Sequence, residues 1–319
     1  MTAGVANAEV GELNVAKQFG IAYLPLMIME ADGLVEKHAK AAGVELKVTW
    51  RTLAGGAPMN DAILSGSLHF ASGGVGPLTT LWARTKGSID VKAVAAMNSM
   101  PIYLNVRNPA AKSLKDLTEK DRIALPAVKV SIQAITLMMA AEKEFGVGNH
   151  AKFDALTLAM SHPDAQAALL SGASEVTGHF SSPPFQYQQL KTPGIRTILN
   201  SYDVLGGPGT FNLLWTTKKF HDENPKVYAA FVAALGEAIE TINKGKPKAA
   251  LRYLEISRDK KSTVEEILAM LDDPAIEFTM TPKGVMRYAE FMHKIGLIKV
   301  KPGDWKDLFF PNAHGLKGS

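Results

Sequence analysis

From its N-terminal end the chain alternates short apolar runs with amphipathic stretches, each punctuated by glycine or proline. Leu13–Phe19 ("LNVAKQF") alternates apolar and polar positions and stops at Gly20, the pattern of a strand. Pro25 opens a helical stretch through Ala42, interrupted at Gly33 and stopped by Gly43. Glu45–Arg51 is β-rich and ends before Gly55-Gly56. Pro58 starts a helix closed by Gly66, and Leu68–Ala71 reads as a third strand. A glycine loop follows, then a helix from Pro77 and a fourth strand over Val91–Ala96. Strand, loop and helix repeated at this spacing predict an α/β protein with mostly parallel sheets.

A second run follows the same order. Met100–Asn108 is extended, "SLKDLTEKD" reads as a helix and Arg122–Leu125 as a strand. The glycine-free loop Pro126–Ser131 leads into an apolar-faced helix, Ile132–Phe145, stopped by Gly146. Phe153–Leu158 reads as a strand, Pro163 opens a helix ending at Gly172, and Glu175–Thr177 reads as a short strand. Ala62-Ile-Leu-Ser-Gly66 and Ala168-Leu-Leu-Ser-Gly172 agree at four letters of five, each closing a helix ahead of a strand. With the shared element order, this predicts two similarly built lobes. The last third is helical. Behind Pro225, residues Val227, Tyr228, Phe231, Leu235, Ala238, Ile239 and Ile242 recur at three- and four-residue steps, an apolar stripe for core packing. Ser262-Thr-Val-Glu265 reads as a capping box, and Thr281-Pro282 opens a helix ended by Gly296.

Composition narrows the function classes. A chain of 319 residues, 46% hydrophobic and 21% charged, is long enough for two lobes. The net charge of +4 is mild and interspersed, with no basic block of the kind a nucleic-acid partner requires. Cysteine is absent, which removes disulfides, Cys-based zinc sites, iron–sulfur clusters and thiol nucleophiles. The eight histidines show no pair at metal-ligand spacing, so neither metal nor cofactor is expected. No apolar run approaches the ~20 residues of a membrane-spanning helix. Ala6-Asn7-Ala8 before Glu9 matches the small-residue pattern of a signal-peptidase site. It predicts a trimmed secretory signal and a periplasmic location; a chance alanine-rich terminus is the alternative.

Chemistry first shows in Phe70–Trp82, "FASGGVGPLTTLW", a strand end, a glycine turn and a helix start. Gly74 and Gly76 supply two glycines of a dinucleotide fingerprint, but Thr79 stands where the third belongs. The segments "DAILSGSLHFASGGVGP", "IALPAVKVSIQAITLMMAAEKEFG", "ALLSGASEVTGHFSSPPF" and "TTKKFHDENPKVYAAFVAALGEAI" carry a wider pattern. Through them the chain resembles the substrate-binding proteins of bacterial ABC importers in the nitrate, alkanesulfonate and taurine group. That group also includes carriers of thiamin-precursor pyrimidines.

The resemblance spans roughly Leu13 to Phe310. It implies a two-lobed periplasmic-binding-protein fold (type II), each lobe a mostly parallel sheet flanked by helices, with a ligand cleft between. Lobe one would hold residues 13–103 and 213–319, and lobe two residues 104–212. Crossings near Met100–Leu104 and Phe211–Trp215 would act as the hinge. The implied role is capture of a small organic anion and delivery to a membrane permease, by a monomer that is not an enzyme. Two departures point to an unusual ligand. His69 and Glu175 stand where the family usually has Asp, and Val128–Ser131 replaces a loop that is often glycine-rich.

In an open parallel sheet, ligands bind beyond the carboxyl ends of strands, against the unpaired N–H groups of the next helix. That logic selects Ile21, Ala22 and Tyr23 after strand one, and Gly55, Gly56 and Met59 after strand two. It selects Ser72, Gly73, Gly74 and Val75 in the glycine loop, and Lys129, Val130, Ser131, Ile132 and Gln133 across the cleft. His179, Phe180 and Ser181 follow the last repeat strand, and Thr210 lies near the return crossing. All eight arginines fall outside these loops, leaving Lys129 and His179 as their basic residues. A multiply charged phosphate would recruit arginine, so a singly charged or neutral ligand is expected. Tyr23 and Phe185 either cover its apolar part or pack the lobes; His179 either contacts ligand or is structural.

Two rival classes remain. The fungal thiamin-pyrimidine synthases resemble the same fold, but they depend on a cysteine-rich segment that this chain lacks. No G-x-S-x-G elbow, H-E-x-x-H or P-loop is present. A ligand-sensing module would be marked by an attached kinase or DNA-binding segment.

Overall fold

The computed structural model describes residues 9–319, so the Ala6-Asn7-Ala8 pattern lies outside the described residues. In chain order the strands are β1 (Glu12–Lys17), β2 (Lys47–Thr52), β3 (Ala71–Gly74), β4 (Val91–Ala96), β5 (Asn98–Ser99) and β6 (Tyr103–Val106). There follow β7 (Ile123–Leu125), β8 (Thr157–Ala159), β9 (Gly178–Ser181), β10 (Arg196–Asn200), β11 (Asn212–Thr217) and β12 (Glu277–Phe278).

β1 and β2 pair in parallel, with Glu12 opposite Lys47. A parallel bridge from Val15 to Phe70 carries that pair onto β3, and β11 lies antiparallel between β3 and β4. The first lobe therefore reads β2-β1-β3-β11-β4. The second reads β8-β7-β9-β6-β10, with β6 antiparallel to both neighbours. The two orders are the same permutation. In each, the single antiparallel strand is the first one laid down after the chain crosses from the other lobe. The remaining strands run parallel because helices return the chain across the sheet each time.

Local chemistry accounts for the boundaries. Gly33, in the left-handed region at φ 58°, separates the helices Leu24–Ala31 and Leu34–Ala41. The matching helices Gly56–Leu64 and His162–Ser171 both stop before a left-handed glycine, Gly66 and Gly172. Helix Pro225–Lys244 buries the whole predicted apolar stripe, and Phe231 stacks on Phe70 at 3.9 Å between ring centroids.

Several sequence expectations shift. The third strand covers Ala71–Gly74 rather than Leu68–Ala71, and its counterpart is Gly178–Ser181 rather than Glu175–Thr177. The predicted strand at Phe153–Leu158 begins as a short 3-10 turn and becomes β8 only at Thr157. "SLKDLTEKD" forms only a 3-10 turn, Leu114–Asp116, because Asp116 folds back onto the Ser113 N–H and hydroxyl. The capping box sits one residue later than expected: Thr263 caps the Glu266 N–H and Glu266 returns to Thr263. The last long helix begins at Val285, behind left-handed Gly284. Among the described residues, no helix is long and apolar enough to cross a membrane.

Candidate functional site

The two lobes touch where the sequence placed the glycine loop. A Cβ at Gly74 would lie 2.6 Å from Ile132 Cγ2, and one at Gly76 would lie 2.5 Å from the Val130 carbonyl oxygen. At Gly55 it would meet the Pro126 carbonyl oxygen at 2.8 Å. These glycines therefore allow backbone of one lobe to approach the other. The expected loop of free donors is not there. Ala71–Gly74 is a strand, and the groups of Ser72 are already engaged. Its N–H points to Met59 Sδ at 3.4 Å, its hydroxyl donates to the Ala16 carbonyl at 2.6 Å, and its carbonyl accepts from Gln18 Nε2 at 3.2 Å. Helix Val75–Thr85 starts directly from this strand end.

Behind the contact lies a pocket of about 20 Å³, room for roughly one water. Tyr23, Gly56, Gly74, Ser131, Ile132 and Gln133, all expected from the sequence, line it. So do Gln18, His162 and Asn212, which were not expected. Asn212 is fully buried, and among the described residues neither its amide nitrogen nor its oxygen has a hydrogen-bond partner. An orphaned buried amide costs about 1–3 kcal/mol unless something in the pocket satisfies it. Burial raises the neighbouring Tyr23 phenol far above its ordinary value. Ser131 is not free: its hydroxyl caps helix Ile132–Phe145 through the Ala134 N–H.

His162 holds the first turn of helix His162–Ser171 and brings a second histidine with it. Its Nδ1 lies 2.9 Å from His179 Nε2, and His179 Nδ1 lies 2.6 Å from Gln189 Nε2. Burial lowers the His162 pKa to about 4. Burial, reinforced by His162, takes His179 well below its ordinary value. Both imidazoles are neutral at pH 7. His179 stands behind His162 rather than in the pocket.

Gln18 also lines a wider cleft of about 740 Å³ between the lobes, within the size range of small-molecule sites. One wall carries Lys17, Glu30 and the segment Arg258–Lys261; the other carries Pro163, Gln166, Phe185 and Gln188. Lys17 is ion-paired with Glu30. The sequence reading of a cleft without arginine is corrected here. Arg258 lines it, delivered by the chain after its return to the first lobe, a segment the strand-to-helix logic does not reach. Phe185 lines the cleft and stacks on His162 at 5.5 Å.

The other expected residues are placed differently. The Ile21 N–H donates to the Pro183 carbonyl across the lobes at 3.2 Å, and the Ala22 carbonyl accepts from Asn98 Nδ2 at 2.6 Å. Met59, Val75 and Phe180 are core side chains, and Ser181 is buried within β9. Gly73 packs against Trp215. Thr210 Oγ1 accepts from the Lys283 N–H at 2.8 Å. Lys129 faces outward, 64% exposed, with its ammonium 3.8 Å from Asp154. Val130 contributes its carbonyl to the lobe contact rather than a donor to the pocket. His162 was findable: it opens the helix after β8, where the same helix-start logic applies.

The sequence matches the NMT1-like family over residues 6–256, most of its length. The chain belongs to the NMT1-like family. Solved structures share its fold. The alkanesulfonate-binding protein SsuA from Xanthomonas axonopodis pv. citri, bound to MOPS, superposes with a TM-score of 0.72 at 18% identity. That match covers 91% of this NMT1-like chain and 95% of SsuA. The periplasmic nitrate-binding protein NrtA from Synechocystis PCC 6803 gives 0.71 at 15% identity, covering 94% and 84%. The periplasmic aliphatic sulphonate binding protein SsuA from Escherichia coli gives 0.67 at 18%, covering 95% and 92%. No curated protein matches the sequence. At these identities the likeness establishes the two-lobed periplasmic-binding-protein fold, whose lobes are here sheets of parallel strands with one antiparallel member each.

Proposed function

We propose that this protein is the extracytoplasmic solute-binding component of an ABC importer, capturing a small organic anion between its lobes. The observation that carries the reading is the cleft itself: about 740 Å³, lined from both lobes, next to a buried Asn212 amide without a partner among the described residues. A ligand touching both walls favours the state in which the walls meet, and a permease can read that state. Residues 13–103 with 213–319 form one lobe and 104–212 the other, hinged near Met100–Leu104 and Phe211–Trp215. The similar proteins bind alkanesulfonate and nitrate, and the cleft's charge agrees with an anion. Lys17, Arg258, Lys260 and Lys261 outnumber Glu30 and Asp259 there. The inner pocket offers neutral donors and room for roughly one water, which suits a single acceptor oxygen of a ligand whose body lies in the wider cleft. A binding role is favoured over catalysis because, among the described residues, the two buried imidazoles bond to each other and to Gln189 rather than to a carboxylate or nucleophile. The protein works as a monomer outside the cytoplasm.

A thermal-unfolding screen of denatured and refolded protein tests this, with alkanesulfonates, taurine, nitrate, aromatic carboxylates and pyrimidines. A ligand at a hundred times its Kd adds about 2.7 kcal/mol. A shift confined to one chemical class supports the reading and identifies the ligand class. A flat response across the panel counts against it.

A further inference from the structure

We propose that Asn105, Gln189 and His179 form a one-directional hydrogen-bond chain that fixes His162 as an Nε2–H donor toward the interlobe pocket. The site then selects a ligand presenting an acceptor oxygen there. This rests on the solute-binding reading for its ligand, but the direction of the chain follows from the protein alone.

The chain starts at a group whose polarity is not open to choice. The Gln186 carbonyl can only accept, so the atom 2.9 Å away on Asn105 is its amide nitrogen. The Asn105 oxygen agrees, accepting from Thr197 Oγ1 at 2.7 Å. The second Asn105 N–H is then directed at Gln189 Oε1, 3.0 Å away, and Ser181 Oγ approaches the same oxygen at 3.4 Å. The Gln189 nitrogen must therefore donate to His179 Nδ1 at 2.6 Å. With Nδ1 accepting, a neutral His179 carries its proton on Nε2 and donates to His162 Nδ1 at 2.9 Å. His162 in turn carries its proton on Nε2. That atom lies 3.5 Å from Gln133 Nε2; two donors cannot bond one another, so both N–H groups are left for an acceptor in the pocket that the two residues line.

Each member is buried. His179 and Asn105 are fully enclosed, as is Gln189, and His162 is 5% exposed. Among the described residues no carboxylate joins this hydrogen-bond chain to compensate an imidazolium, and the depressed basicity of both rings agrees. A buried donor aimed into a pocket discriminates strongly, because a ligand presenting another donor leaves both unpaired. Asn105, Gln189 and His179 are positioning residues; His162 is the contact.

Long-range ¹H–¹⁵N correlation spectra of labelled protein near pH 7 read the tautomers directly. Both imidazoles are expected neutral and protonated at Nε2. An Nδ1-protonated or doubly protonated His162 overturns the proposal. Gln189→Glu replaces the donor with an acceptor, so His179 should turn to Nδ1–H and His162 should follow. If the variant folds and both stay Nε2–H, the chain does not set the tautomer. If it does not fold, the wild-type spectrum still decides. Nitrate and methanesulfonate serve as probes, each expected to move the His162 Nε2 resonance and to bind the variant about tenfold more weakly. An anion that binds without moving it overturns the donor role. If no anion in the thermal screen binds, the solute-binding reading falls, while the tautomer result still decides the chain.

Discussion

Gly74 and Ile132 meet across the cleft so closely that a methyl group on Gly74 would sit 2.6 Å from Ile132 Cγ2. Gly74 is also the N-cap of helix Val75–Thr85, with extended backbone at φ −71° and no side chain to cap with. Gly74→Asp therefore separates two effects. The carboxylate supplies an N-cap, worth about a few tenths of a kcal/mol over glycine, which favours folding slightly. The same side chain occupies the space Ile132 needs. The variant should keep its melting temperature, show a larger radius of gyration by small-angle scattering, and lose the ligand-induced melting shift. A variant that is still compact and still binds would show that this contact does not govern closure.

Lys129 is expected to act through its backbone rather than by contacting ligand. It sits in the left-handed region at φ 62°, at the turn that sets up Ser131 and helix Ile132–Phe145, while its ammonium faces solvent and Asp154. Lys129→Ala should change anion affinity by less than about fivefold, since an exposed charge pair contributes about 0–1 kcal/mol. Lys129→Gly should raise stability by about 1 kcal/mol and Lys129→Val lower it, because a β-branched residue resists this conformation. Calorimetric titration and denaturant melts of the three variants decide the matter. A large affinity loss in Lys129→Ala alone would return the lysine to the site.

The order of elements was readable because glycines and prolines punctuate each unit, and helix Ile132–Phe145 falls where its apolar face and Gly146 put it. The two-lobe repeat was also readable: Gly66 and Gly172 stop equivalent helices in equivalent sheets. Half of the candidate pocket's lining was legible for the same reason. Tyr23, Gly56, Gly74 and Gln133 follow strand ends, and strand ends face the cleft. The rest depends on contacts no local pattern encodes. Arg258 reaches the cleft only because the C-terminal helices fold back over the first lobe. Asn212 is one residue past Thr210-Phe211, yet it sits in the pocket while Thr210 bonds to Lys283. Ser72 looked like a ligand group, but strand pairing and Ala16 claim it.

The buried histidines make stability fall in mild acid. In the unfolded chain His162 titrates near its ordinary 6.5; in the folded protein burial lowers this to about 4. Between those values the unfolded state binds more protons, so stability is full above about pH 6.5 and declines as pH drops toward 4. Below 4 both states are protonated and the loss levels off. The interval corresponds to a loss on the order of 3 kcal/mol for this residue. Urea unfolding at pH 7.5, 5.5 and 4.5 should show the decline, and His162→Asn should flatten it. An equally steep decline in that variant would assign the effect to other groups.

Across the mouth of the cleft, four polar side chains close a ring. Lys261 Nζ donates to Gln166 Oε1 at 2.8 Å, and Gln166 Nε2 donates to Gln188 Oε1 at 2.8 Å. Gln188 Nε2 donates to Asp259 Oδ2 at 2.7 Å and to Ser262 Oγ at 2.8 Å, and the Lys261 N–H returns to Asp259 Oδ1 at 2.8 Å. Gln166 and Gln188 belong to one lobe and residues 259–262 to the other, so every link but two spans the cleft. Such bonds form only after the lobes meet, and they act on opening rather than on encounter. Gln188→Leu removes three links while keeping the side chain's bulk. Ligand dissociation should quicken by about three- to tenfold, matching about 1 kcal/mol of lost hydrogen bonding, with the association rate unchanged. Stopped-flow kinetics with the anion found by thermal screening measures both rates. A slower association with unaltered dissociation would show that the ring shapes the open cleft instead of holding it shut.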